Sequence, residues 1–101
     1  MATALEDINQ PVSIPSTTLF SELGGEVVLL SLTGGTYFSL NPVGARAWRL
    51  LQENHGNLPH VLGKILEEFD VEERQAREDL LGLVNDLIRH GLVRVESLPP
   101  A

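Results

Sequence analysis

Metal chemistry in this chain would have to start from three histidines, His55, His60 and His90. His55 and His60 stand five apart across Gly56 and Pro59, so they cannot share a helical face as zinc ligands at i, i+4 do. They read as solvated loop histidines. The acidic run LEEFDVEER, residues 66–74, lacks the donor spacing of a calcium loop; capping and a solvated helix start account for it. Ser31 and Ser39 fall within strands rather than at a strand-to-helix elbow, so neither is placed as an activated nucleophile. GEVVLLSLTGG, residues 25–35, is not a phosphate loop, because no Gly-Lys-Ser/Thr follows it. These residues predict no catalytic centre, no metal site and no cofactor.

Composition narrows the classes further. A chain of 101 residues with 43% hydrophobic residues can build one core and one domain. It has no cysteine, which excludes disulfides and thiolate chemistry and fits a reducing compartment. It has neither an apolar run of membrane-spanning length nor a basic n-region at its start, so the expected location is cytoplasmic. The net charge of −7 disfavours phosphate backbones and favours a basic partner, or serves solubility alone.

The elements that would position a site follow from periodicity and punctuation. Residues 1–16, with Pro11 and Pro15, show no period and read as a flexible arm; residues 97–101 read as a tail. Between them lies a single domain over residues 17–96. Thr17–Leu23, Glu26–Leu32 and Thr36–Leu40 read as strands joined at Gly24-Gly25 and Gly34-Gly35, where glycine tolerates the positive φ of tight hairpins. Alternation turns Phe38 and Leu40 inward and Tyr37 and Ser39 outward. Val27, Leu29 and Tyr37 are expected on the sheet face away from the helices, as a partner-docking patch. Asn41-Pro42 is a helix start, an N-cap followed by the proline that suits the first position. A second helix runs from about Pro59 to Phe69. Asp70 and Glu73 form a capping-box pattern for a third, which stops at Gly91. Leu92–Glu96 reads as a short final strand. The class is α+β, in a winged-helix-like order.

A DNA-reading third helix would expose basic residues. This one exposes Glu72, Glu78, Asp79, Asn85 and Asp86 against Arg74, Arg77 and Arg89, so nucleic acid is not the expected partner. Its apolar stripe, Ala76, Leu80, Val84 and Leu87, is widened by Leu83 at one edge and by Leu81 and Ile88 at the other. Either the first two helices bury both edges, or one edge lines a groove. The third strand, TYFSL, would end the sheet with one row of peptide groups unpaired and neither proline nor charge to guard them. An open edge beside an apolar stripe suits strand addition by a peptide. The Leu83 edge, with Leu87 as floor and Asp79 and Asp86 as rim, is the expected cleft wall, and its charge would favour a basic peptide.

The order VVLLSLTGGTYFSLNPVGARAW, LEEFDV and AREDLLGLVNDLIRHGLV resembles the PqqD-like domains that recognise leader peptides of ribosomally made, modified peptides. The resemblance spans residues 18–95. Its most specific parts are Leu40-Asn41-Pro42 followed by Trp48, and Asp79-Leu80 followed by Val84, Leu87 and Gly91-Leu92. The small size and the strand end Tyr37-Phe38-Ser39-Leu40-Asn41 look most like the free-standing members of lasso peptide clusters. The resemblance implies a non-catalytic domain whose leader peptide adds to the strand Thr36, Tyr37, Phe38, Ser39 and Leu40 and lies against the third helix. It also implies that a transglutaminase-like leader peptidase and a cyclase then act on the precursor. Service to another modifying enzyme, such as a radical-SAM protein, is the near alternative. A winged-helix DNA-binding regulator and a dimer formed through the open edge are the distant ones.

Overall fold

A computed structural model describes residue 5, residues 8–24 and residues 26–96. Its elements are β1 (Val12–Ser13), β2 (Thr18–Leu23), β3 (Glu26–Ser31), β4 (Tyr37–Leu40), α1 (Pro42–Glu53), α2 (Leu58–Glu68), α3 (Glu73–Arg89) and β5 (Arg94–Val95). The meander is present as an antiparallel sheet in the order β2-β3-β4, and the short final strand is present as β5. The class is α+β, three strands followed by three helices.

The hairpin between β3 and β4 is held by Ser31. Its amide donates to Thr36 O at 3.0 Å, its carbonyl accepts from Gly35 N at 2.8 Å, and its hydroxyl accepts from Gly34 N at 3.3 Å. The register sets Leu29 opposite Phe38 and Val27 opposite Leu40. Val27 and Leu29 are fully buried (0% exposed) and, with Leu40, face the helices. This corrects the expectation that Val27 and Leu29 lie on the outer face. Residues 27–30 are apolar at every position, so alternation alone does not fix their parity, and an error of one residue flips the whole strand. The outer face instead carries the cross-strand row Leu19, Leu30 and Tyr37, with Tyr37 72% exposed.

Asn41 caps α1 as its sequence suggests, its side chain accepting from Gly44 N at 2.8 Å. Asn57 caps α2 by accepting from His60 N. The capping box expected at Asp70 is not formed. Glu72 is the N-cap of α3 and makes no side-chain bond, leaving Asp70 two residues outside the helix. Glu73 still benefits the helix as an anion in its first turn. The stripe Ala76, Leu80, Val84 and Leu87 is buried as predicted, against a core centred on Trp48, Leu50 and Leu58.

The loose arm expected over residues 1–16 is also corrected. In its described part, Leu5, Ile8 and Val12 are buried in the core, and β1 pairs antiparallel with β5, Val12 opposite Val95. Leu5, Ile8 and Val12 stand three and four apart, but Pro11 interrupts that spacing and Pro15 follows it, so the segment does not read as an element. Leu5 is gripped by Asn85, whose Oδ1 accepts from Leu5 N at 2.7 Å and whose Nδ2 donates to Leu5 O at 3.4 Å. Val12 N donates to Gly56 O. Gly56 has φ +80, and a Cβ there would lie 1.7 Å from Val12 O, so the approach requires glycine. Asn85 shares an edge of α3 with Leu81 and Ile88, which places the N-terminal segment along that edge. The predicted tail, residues 97–101, lies outside the described residues, as do residues 1–4, 6 and 7.

Candidate binding cleft

The backbone of β4 decides what its edge can offer. In an antiparallel ladder, residues alternate between exchanging both peptide hydrogen bonds with the partner strand and turning both groups the other way. Because Ser31 N bonds Thr36 O, the residues two and four further on, Phe38 and Leu40, are the ones turned to Leu29 and Val27 of β3. Tyr37 and Ser39 therefore direct their N–H and C=O to the side on which, among the described residues, no strand lies, since β4 is the last in the sheet. Two donors and two acceptors stand in a row along an open edge.

Beside that edge runs a cleft of about 530 Å³. One wall is β4, through Phe38, Ser39 and Leu40. The facing wall is α3, through Ala76, Asp79, Leu80 and Leu83. The end nearest the β4 C-terminus is closed by Asn41, Val43, Gly44 and Ala47 of the α1 start and by Ile65, Phe69 and Val71 around the end of α2. A Cβ at Gly44 would sit 3.4 Å from Leu40 Cδ2, so the glycine lets α1 approach the strand closely. The cleft is apolar in its depth, with Asp79 the one ionisable side chain among the described residues that line it.

Two contacts fix the walls. The Phe38 and His90 rings meet edge-on with centroids 5.2 Å apart. Arg46 of α1 forms a two-pronged ion pair with Glu68 of α2, each nitrogen 2.7 Å from its oxygen. The hydrogen bond from Arg46 holds the Glu68 carboxyl below its ordinary pKa, aided by the charges of Arg46 and Lys64 and opposed by desolvation. The same pairing raises Arg46.

Of the residues singled out in the sequence, the structure gathers Phe38, Ser39, Leu40, Asp79 and Leu83 around one cleft. The remaining four stand elsewhere. Thr36 lies in the loop before β4 and is bonded to Ser31. The Tyr37 side chain points to the outer face, although its backbone faces the edge. Asp86 is outside the cleft and ion-paired with Arg89, while its carbonyl bonds His90 Nδ1 at 2.7 Å. Leu87 is 1% exposed and belongs to the core rather than to a cleft floor. The α1 and α2 residues that close the wide end are not singled out as cleft residues by the sequence. Half-exposed Val43 and Val71 were the available signal, apolar side chains that their own elements leave uncovered.

The model of the family described as coenzyme PQQ synthesis protein D (PqqD) matches residues 26–93. Among solved structures, the chain is similar to TbiB1 in complex with the TbiA(beta) leader peptide. That match has 31% identity and a TM-score of 0.74, over 87% of this chain and 99% of that one. It is also similar to lasso peptide synthetase B1 complexed with the leader peptide. There the identity is 25% and the TM-score 0.72, over 88% of this chain and 99% of that one. No curated protein matches the sequence.

Proposed function

Because this chain belongs to the PqqD family, we propose that it binds the leader segment of a ribosomally made precursor peptide and presents it to the enzymes of lasso peptide maturation. The observation that carries this is the pair of unpartnered peptide groups at Tyr37 and Ser39 beside an apolar cleft. An extended leader laid on that edge satisfies those groups, each hydrogen bond contributing about 0.5–1.5 kcal/mol net. Its alternate side chains descend toward Leu80, Leu83 and Phe69, where burial supplies the larger share of affinity. The capture of two similar proteins with leader peptides bound supports the same reading.

The domain's part is positioning rather than catalysis. A lone carboxylate in an apolar cleft supplies no nucleophile and base pair. Cleavage and ring closure fall to partners, a transglutaminase-like leader peptidase and a cyclase. The outer row Leu19, Leu30 and Tyr37 is the surface we assign to the first of them. A duplex partner is disfavoured by α3 itself, where Arg74, Arg77 and Arg89 are each paired with a carboxylate of the same helix. No helix among the described residues is long and apolar enough to cross a membrane. With a cysteine-free chain, the cytoplasm is the compartment proposed.

The test uses a synthetic leader peptide of a ribosomally made precursor of this class. It should bind with micromolar or tighter affinity and remain uncleaved by the purified chain. On binding, amide exchange should slow at Tyr37 and Ser39, while Phe38 and Leu40, already bonded to β3, change little. Cleavage by the chain alone, or protection confined to other segments, overturns the reading.

A further inference from the structure

Asp79 sits solvent-exposed on the α3 rim of the cleft, next to buried Leu80 and one turn from Leu83. One of its oxygens accepts from Gln75 Nε2 at 2.9 Å. The three arginines of the helix are taken by other carboxylates, Arg74 by Glu78, Arg77 by Glu73 and Arg89 by Asp86. No described lysine or arginine is paired with Asp79. The cleft thus presents a carboxylate without a cation, in a place that an apolar peptide would cover.

Resting on the leader-binding reading, we propose that Asp79 selects leaders carrying a lysine or arginine two or four residues from an apolar anchor. The spacing follows from the strand. Side chains of a segment added to β4 alternate between the cleft and the outer face, so every residue that reaches α3 is separated from the next by two. The anchor fills the wide end between Val43, Ala47, Ile65 and Phe69, and the cation meets the carboxylate further along the same face. A neutral side chain there strips water from Asp79 and returns no partner, which opposes binding. Asp79 therefore discriminates as much by rejecting neutral and acidic residues as by attracting basic ones. The net charge of −7 raises the encounter rate of any basic peptide but sets no position within it. Asp86 does not share the role, being outside the cleft and paired with Arg89.

The experiment selects a displayed library of random peptides on the full chain, in parallel with Asp79→Asn and Asp79→Lys. Wild type should enrich lysine or arginine at one position, at even spacing from an apolar residue. Asp79→Asn should keep the apolar preference and lose the basic one, and Asp79→Lys should turn it acidic. For a selected peptide, replacing the basic residue by methionine should weaken binding roughly fivefold, as for a partly exposed ion pair. Changing it to glutamate should weaken wild type more and be restored on Asp79→Lys. If basic enrichment is absent, or persists in Asp79→Asn, the assignment fails; if those peptides still protect Tyr37 and Ser39 from exchange, strand addition stands without it. If selected peptides protect neither amide, the leader-binding reading and the Asp79 assignment fall together.

Discussion

The Phe38 ring stands edge-on to the His90 imidazole, 5.2 Å between centroids, and so ties the middle of the open strand to the C-terminal end of α3. The imidazole is itself fixed by Nδ1 against the Asp86 carbonyl. If this contact sets the spacing of the two cleft walls, its loss should be felt in binding. His90→Ala should cost about 0.5–1.5 kcal/mol of stability, the range of an aromatic pair, and lower leader affinity by a similar factor. His90→Phe, which keeps a ring there, should recover most of both. Denaturant titration with calorimetric binding checks this; an affinity unchanged in His90→Ala would show that the contact does not set the cleft width.

The two edges of α3 should respond oppositely to charge. Leu83→Glu places a carboxylate in the cleft wall and should weaken leader binding about tenfold or more, roughly 1.4 kcal/mol, while the fold is kept. Leu81→Glu lies on the edge held by the N-terminal segment. It should lower the melting temperature and leave the affinity of the folded fraction near normal. Normal binding by Leu83→Glu together with loss in Leu81→Glu would put the leader on the other side of the helix.

Tyr37 separates its two roles by atom. Its backbone faces the edge and its side chain the outer row, so Tyr37→Ala removes only the second. Leader affinity should stay within about threefold of wild type, since surface substitutions outside a contact change little. Cleavage of the bound precursor by the partner peptidase should fall further than that. Equal losses in affinity and cleavage would place the Tyr37 side chain in the leader site.

Gly56→Ala tests the clamp on the N-terminal segment. Its methyl would collide with Val12 O, and φ +80 disfavours any side chain, so a loss of about 2–3 kcal/mol is expected. Exchange at Val12 and Val95 should quicken with it. A variant as stable as wild type would mean that β1 is not held at this point.

How much of this was legible in the sequence depended on punctuation and on contrast between faces. Gly24 and Gly35, with φ of +59 and +66, placed the hairpins, and Asn41-Pro42 placed the first helix, because backbone geometry favours those residues there. The α3 stripe was legible because Ala76, Leu80, Val84 and Leu87 stand among polar neighbours. The facing of β3 was not, since residues 27–30 offer no polar contrast to orient them. Leu5, Ile8 and Val12 escaped because Pro11 breaks their spacing of three and four before it can read as a helix. On α3 the angular reading placed Leu83 and Asp79 on the cleft side, yet angle carries no information about length. Asp86 and Leu87 share that sector or border it, but the cleft ends before reaching them.

The pairing of Val12 with Val95 also joins the chain before the sheet to the chain after the last helix. Directly opposed residues of an antiparallel pair lie about 5 Å apart. β1 and β5, far apart in the chain, are thus closed into one ribbon. The same closure delays assembly at the ribosome: β1 emerges early but has no partner until residues 94 and 95 have cleared the exit tunnel. β1 therefore takes its place only after α3 and β5 have been made.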